Sequence, residues 1–412
     1  MNISINFIFK LNITIFVIIS FFINIFRSTS FLSIYLQNFL ILNLNSIKIL
    51  RECSLFLFIL PPILYSIINR GQKYNKIFFI FIFLFSFTLS LTSLINFANI
   101  EKEYYLFFLR WIFPFLLSLI YINSNFLIDN KKFLLRLIQI VSVIVLLFSL
   151  EGIFFGCFTY RCSSIYYGPH SLAINSLSCI FIGYKILGKE LFSRKYIHIY
   201  IICSFQIFTS LSATGVLSLF VFTIPFFISS NRNILSFKIK KNILFATIIS
   251  SPIVIYTLRM LISRGVFDIT TDFYKVSGGT RVMLFLKSFY NNDGSINLFG
   301  RPGIFTNIGR SYNSNIGEFS DSLYTSLVGN LGIIIIPIIL VIILIVLSNY
   351  LILLKYNFKI LRDNYSYKTL IILPILVASI GINTFEIYPI FPILACTIFA
   401  RTNYDESFTT NN

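Results

Sequence analysis

Apolar runs recur from one end of the chain to the other, separated by short polar connections. Residues 5–26, 77–97, 105–122, 134–155, 243–261 and 323–347 reach or approach the roughly 20 residues that an α-helix needs to cross a bilayer. Shorter runs lie at 53–68, 171–187, 196–210, 215–228, 369–382 and 385–400. These would borrow flanking residues, tilt less, or form hairpins that do not fully cross. The pattern predicts an all-α polytopic integral membrane protein of about 12 transmembrane helices. All of residues 1–412 would form one membrane domain. The first run contains Lys10 and has no small-residue cleavage site after it, which predicts a retained helix and not a removed signal peptide.

Composition strengthens this reading. Of 412 residues, 57% are hydrophobic and 49 are Phe, and mean hydropathy is +0.85. Charged residues are 12% of the chain, against about 25% in a soluble domain. So few charges cannot cover a water-facing surface, which excludes an ordinary soluble enzyme, a disordered chain and a disulfide scaffold. The six Cys show no metal-ligand spacing, and Cys157 and Cys162 are either a pair or two unlinked small residues.

The net charge of +18 is that of a membrane protein with basic cytoplasmic loops, not of a nucleic-acid binder. One set of connections holds Lys10, then Arg70, Lys73 and Lys76, then Lys131, Lys132 and Arg136, then Lys185, Lys189, Arg194 and Lys195. It continues with Arg232, Lys238, Lys240 and Lys241, and ends with Lys355, Lys359, Arg362, Lys368 and Arg401. The opposite short connections hold only Arg27, Lys48, Arg51, Lys102, Arg110 and Arg161. This asymmetry places both termini in the cytoplasm.

One connection is not short. Residues 262–322 form a large extracytoplasmic loop with nearly balanced charge, and a loop of that length between tight spans is functional or disordered. Within it, residues 280–290 predict a short amphipathic helix with Val282, Phe285, Leu286 and Phe289 on one face. Gly278-Gly279 would start it and Asn291-Asn292-Asp293-Gly294 would stop it.

Familiar enzyme signatures (a Walker loop, GxSxG, HExxH) are missing. The candidates for chemistry lie on the outer side. Arg161 sits in a short outer loop and Arg281 follows Ser-Gly-Gly-Thr. Both run against the positive-inside bias. A guanidinium binds phosphate oxygens through two charge-assisted hydrogen bonds. Gly278 and Gly279 leave backbone N–H groups open beside Arg281 at a helix start that favours anions. Headgroup contact or snorkelling is the alternative for both arginines. Asp321 precedes a span, where it could orient a sugar hydroxyl, cap the helix, or do both. His170 follows Pro169 at the outer end of a span and is a candidate for a functional role. His198 opens a span on the inner side and reads as interfacial.

Four segments resemble the O-antigen polymerase (Wzy-type) family, within the wider O-antigen ligase and polymerase group. The first is TYRCSSIYYGPHSLA at 159–173, where Arg161 and Pro169 match and His170 replaces the usual Asn. The second is TSLSATGVLSL at 209–219, where Ala213 stands in place of a frequent Arg. The third is SGGTRVMLFLKSF at 277–289 with NLFGRPG at 297–303, in which Gly300 and Gly303 fill the family's turn. The fourth is DSLYTSLVGNLG at 321–332. Ligases commonly carry His where this chain has Asp321, which favours a polymerase.

The resemblance implies a glycosyltransferase in a bacterial inner membrane. It would join oligosaccharide repeat units carried on undecaprenyl diphosphate into O-antigen or capsular polysaccharide. Arg161, Arg281 and Asp321 would be catalytic, with Arg301, His170, Gly278 and Gly279 binding substrate. No cofactor or metal is implied. The partners would be the lipid-linked oligosaccharides, the bilayer and a chain-length regulator, with no nucleic acid. An O-antigen ligase and a transporter of lipid-linked sugars are the alternatives. A transporter would line a cavity with charges inside the spans and would not need the large loop.

Overall fold

The structure is a computed structural model. It describes residues 2–27, 102–152 apart from 123 and 125, 168–228, 277–318 apart from 292, 322–355 and 364–400, with isolated positions at 51, 54, 57, 164 and 166. The runs at 77–97 and 243–261, and nearly all of 53–68, lie outside these residues, as do Arg161 and Asp321.

The described chain is helical, with a single β-bridge between Tyr290 and Ile296. Its α-helices of six or more residues are α1 (Asn2–Arg27), α2 (Lys102–Ile120), α3 (Lys131–Gly152), α4 (Pro169–Leu187), α5 (Ile197–Thr209) and α6 (Ala213–Ile228). There follow α7 (Ser277–Lys287), α8 (Asn307–Tyr312), α9 (Leu323–Leu331), α10 (Ile335–Lys355), α11 (Asn364–Ala378) and α12 (Ile390–Ile398). Among the described residues, five stretches are long and apolar enough to cross a membrane: Phe7–Asn24, Glu103–Ile120, Lys131–Leu150, Pro169–Phe192 and Ile335–Leu354.

Their burial differs sharply. The Pro169–Phe192 stretch is 94% buried, whereas Ile335–Leu354 is 11% buried. Helix α4 is therefore the hub, packed by α3, α5, α6 and α12, and α10 presents its apolar surface outward. The sequence of α4 explains why it can sit at the centre. Ala173, Ser176, Ser178 and Gly183 let neighbouring helices approach closely. Its polar side chains then pin those neighbours. Ser176 Oγ donates to Gln206 Oε1 of α5 at 2.8 Å, and Gln206 Nε2 donates to the Ser142 carbonyl of α3 at 2.8 Å. Asn175 Nδ2 donates to the Tyr388 carbonyl at 3.0 Å, while its Oδ1 accepts from Ile390 N at 2.8 Å. One amide thus holds both sides of the connection into α12.

The many Phe residues fill the space between these helices. Phe181 and Tyr184 of α4 meet Phe222 of α6 at ring separations of 5.3 and 5.2 Å, and Phe226 meets Phe192 at 4.9 Å. These are edge or tilted contacts, the geometry that ring quadrupoles favour.

Two apolar runs break where the sequence predicts single spans. The run at 323–347 is two helices, α9 and α10, separated at Gly332. Gly332 has φ +84 and ψ 174, a region open in practice only to glycine. A Cβ there would strike the carbonyl of Leu298. The run at 385–400 is a 3-10 turn, Thr384–Glu386, followed by the nine residues of α12. At 1.5 Å per residue α12 is only about 14 Å long, too short to cross a hydrocarbon core of about 30 Å.

The 277–318 segment is stitched onto α9. A helix end leaves carbonyls without intrahelical donors. Here Arg301 N donates to the Gly329 carbonyl at 2.8 Å, and Asn297 Nδ2 lies within 3.4 Å of the Val328 carbonyl. Asn330 answers from the helix side, accepting from Gly303 N at 2.9 Å and donating to the Phe305 carbonyl at 3.1 Å.

Candidate functional site

Contacts gather the starts of α4, α6, α9 and α12 and the ends of α5 and α11 at one end of the bundle. Ser212, in the turn between α5 and α6, accepts from Gly215 N at 3.4 Å and so caps α6. Leu211 beside it is held at φ 51, uncommon for a residue with a side chain. His170 Nδ1, in the first turn of α4, lies 3.1 Å from Ser212 Oγ. The second of the family-like segments therefore meets the first.

Arg281 reaches the same region. Helix α7 begins at Ser277, so Gly278, Gly279 and Thr280 form its first turn, and Arg281 follows them. A Cβ built on Gly381, just past α11, would lie 3.2 Å from Arg281 Cζ and 2.8 Å from Thr214 Cγ2. The guanidinium thus lies over a backbone stripped of side chain, next to the turn that His170 contacts. The structure brings together Arg281, His170 and the Ser212–Thr214 turn.

Arg301 has different surroundings. It is buried, its Cζ is 4.9 Å from the centre of the Phe305 ring, and its Nη2 donates to the Tyr290 carbonyl at 3.3 Å. Burial lowers the Arg301 pKa from its ordinary value, against the pull of Glu318 and Asp293. These contacts tie the loop 290–305 together. The helix predicted at 280–290 is found at Ser277–Lys287, but its apolar residues are not all covered. Phe285 and Phe289 are half-buried and stack edge-on at 4.9 Å, while Val282, Met283 and Leu286 are exposed.

A second polar cluster lies on the connection between α11 and α12. Arg51 and Arg110 each place a guanidinium near the Tyr388 ring, 5.2 and 5.3 Å from its centre. Both distances are within cation–π range. Two residues earlier, Glu386 accepts hydrogen bonds from the backbone N–H of Asn307, at 2.9 Å, and from its side-chain amide. Trp111 Nε1 donates to Asn383 Oδ1 at 3.2 Å, and Asn383 Nδ2 donates to Ser326 Oγ at 2.9 Å. Glu386 lies outside the spanning helices. Burial pushes its carboxyl up to about 7, although Asn307, Arg110 and Asn383 all favour the charged form. A carboxyl poised near neutrality beside Arg110 can exchange a proton. The sequence signals for this cluster were basic residues in the sparsely charged set of connections (Arg51, Arg110) and an acid in an apolar run. Neither signal shows that they meet at Tyr388.

Among the described residues, no three His, Cys, Asp or Glu side chains gather to hold a metal ion. In comparisons with known proteins, no family model, curated protein or solved structure matches this chain.

Proposed function

We propose that this protein is a membrane glycosyltransferase that polymerises oligosaccharide repeat units carried on undecaprenyl diphosphate. The growing chain would leave its lipid diphosphate and join the non-reducing end of a new lipid-linked unit. The lipid diphosphate is already an activated leaving group, so no nucleotide is needed. Arg281 would bind that diphosphate and stabilise the charge that develops as the glycosidic bond breaks. His170 would contact the same substrate from the start of α4. Asp321 and Arg161 remain candidates for the acceptor side and the diphosphate side. The site would face the extracytoplasmic side of a bacterial inner membrane, with both termini in the cytoplasm.

The observation that carries this reading is the position of Arg281. An arginine in the second turn of a glycine-led helix lies at Gly381, beside the His170–Ser212 contact. Family-like segments far apart in sequence thus share one end of the bundle. Deleting the gene tests the reading. Single repeat units on the surface lipid in place of long chains support a polymerase. Polymer of normal length left unattached would indicate a ligase. Lipid-linked units trapped on the cytoplasmic face would indicate a transporter.

A further inference from the structure

Helices α4 and α5 pack as an antiparallel zipper with one register. His170 meets Ser212 at 3.1 Å, Ser176 meets Gln206 at 2.8 Å, and a Cβ built on Gly183 would lie 3.9 Å from Ile199 Cγ2. Each step forward along α4 is matched by an equal step back along α5 and the turn after it. The same register sets Cys179 opposite Cys203, and the two thiols are hydrogen-bonded to each other. Ser176, Cys179 and Gly183 share one face of α4 at helical spacing, as Ile199, Cys203 and Gln206 share one face of α5. Two nucleophilic side chains thus meet between the hub helix and its neighbour, outside the site described above.

A disulfide requires Cα atoms within about 7 Å and side chains that point toward each other. Ser176 and Gly183 flank Cys179 on its face and carry little bulk, so the two backbones can approach there. Both cysteines are free thiols, Cys179 2% and Cys203 0% exposed. At 1.5 Å per residue Cys179 lies about 15 Å along α4 from Pro169, within the apolar stretch Pro169–Phe192. Such a place shuts out charged or bulky oxidants, a peptide disulfide among them. Hydrogen peroxide is small and uncharged and can enter. The thiolate is the reacting form, and burial in apolar surroundings disfavours it, so the pair answers sustained and not brief exposure.

We propose that Cys179 and Cys203 are a modification site, a disulfide formed by peroxide that bolts α4 to α5. The sulfur of one thiolate attacks a peroxide oxygen, the O–O bond breaks, and a sulfenic acid and one water form. The sulfur of the second cysteine attacks the sulfenic sulfur, the S–S bond forms, and the hydroxyl leaves as a second water. Two thiols are oxidised by one electron each and one peroxide is reduced by two, with both thiol protons passing to water. The link fixes the register that also sets His170 against Ser212 at the end of the same zipper. It stands whether or not the protein is a polymerase.

The full-length protein in lipid vesicles is exposed to hydrogen peroxide, quenched, alkylated in denaturant, digested and read by mass spectrometry. Met283, exposed on α7, reports the dose as its sulfoxide. At a dose that converts Met283, the peptides of Cys179 and Cys203 are expected joined in wild type and released by dithiothreitol. In Cys203→Ala the partner thiol is gone, so Cys179 is expected to stay reduced or to take up oxygen as sulfinic acid. If Cys203→Ala is not monodisperse, Cys179→Ala takes its place. The joined protein should melt at a higher temperature. Hydrogen exchange at the Ser210 N–H, which is bound to the Gln206 carbonyl, should slow by about tenfold or more, and neither change should occur in the variant. The proposal is overturned if both cysteines remain open to alkylation once Met283 is converted, or if either is joined to a different cysteine. A joined pair that leaves melting and exchange as they were would overturn the bolt. Polymer length after gene deletion bears on the polymerase reading alone.

Discussion

The guanidinium of Arg110 lies 5.3 Å from the centre of the Tyr388 ring, which joins α2 to the connection between α11 and α12 across 278 residues of sequence. Trp111, the next residue, donates to Asn383 of the same connection. This short segment is therefore held from one side by α2 and from the other by Asn175 of α4. Its Gly381 end carries Arg281 and its Glu386 end meets Asn307 of α8.

Arg281 is expected to be needed as a guanidinium and not only as a charge. Arg281→Lys keeps the charge but loses the planar fork. Loss of one donor to a developing anion costs ~2–4 kcal/mol of barrier, or roughly 30- to 1000-fold in rate. Lys287→Ala is the control, because its 3.0 Å bridge to Glu318 has a largely exposed lysine and contributes under about 1 kcal/mol. Polymer length is compared at matched membrane levels. Wild-type polymer from Arg281→Lys or Arg281→Ala would remove the diphosphate role.

Asn175→Leu is expected to destabilise the bundle. It leaves the Tyr388 carbonyl and the Ile390 N–H without their partner, at about 1–3 kcal/mol for each buried group left unsatisfied. Asn175→Asp keeps the acceptor for Ile390 but loses the donor to Tyr388. Thermal melts in detergent should rank wild type above both variants. Equal melting temperatures would mean that the α12 connection does not depend on this amide.

Glu386 predicts a pH dependence with a definite sign. Its folded pKa of about 7 lies above the ordinary value of 4.5, so the folded state holds this proton more tightly than the unfolded state. The stabilisation from that proton is complete below pH 4.5 and fades as pH rises through 7. The groups facing Glu386 are Arg110 of α2, Asn307 of α8 and Asn383 of its own connection. Its own contribution falls by on the order of 2 kcal/mol between about pH 4.5 and 7. Glu386→Gln should flatten that part of the melting curve against pH. An unchanged slope in the variant would assign the pH dependence to other groups.

Topology can be read by chemistry. Ser314 is exposed in the segment between α8 and α9. Ser314→Cys in a cysteine-free background should react with an impermeant thiol reagent added to intact cells whose outer membrane is made permeable. Reaction only after the inner membrane is broken would reverse the assigned orientation.

Gly332→Ala should destabilise by at least about 1–3 kcal/mol, since φ +84 with ψ 174 is strained for any L side chain. The added carbon also meets the Leu298 carbonyl. Loss of stability should come with looser docking of residues 297–305, seen as faster hydrogen exchange at Arg301 and Gly303, whose N–H groups are bound to α9.

By itself the sequence determined that this chain is helical and apolar enough to span a membrane, and where most of those helices lie. Hydrophobic runs and basic clusters are local properties, and burial from water acts on them without regard to partners. It also placed Arg281 in a short helix led by glycines, because glycine and helical spacing are local signals too. Tertiary structure decided what these helices do together. The break at Gly332 follows from the close approach of Leu298, and the short α12 from its anchoring by Asn175. Neither partner is near in sequence. The meeting of Arg281 with Gly381, and of Arg51, Arg110 and Glu386 around Tyr388 and Asn307, likewise depends on contacts between distant segments. A polar residue inside an apolar run announces only that it needs a partner. Which partner it finds is set by the packing of the whole bundle around α4.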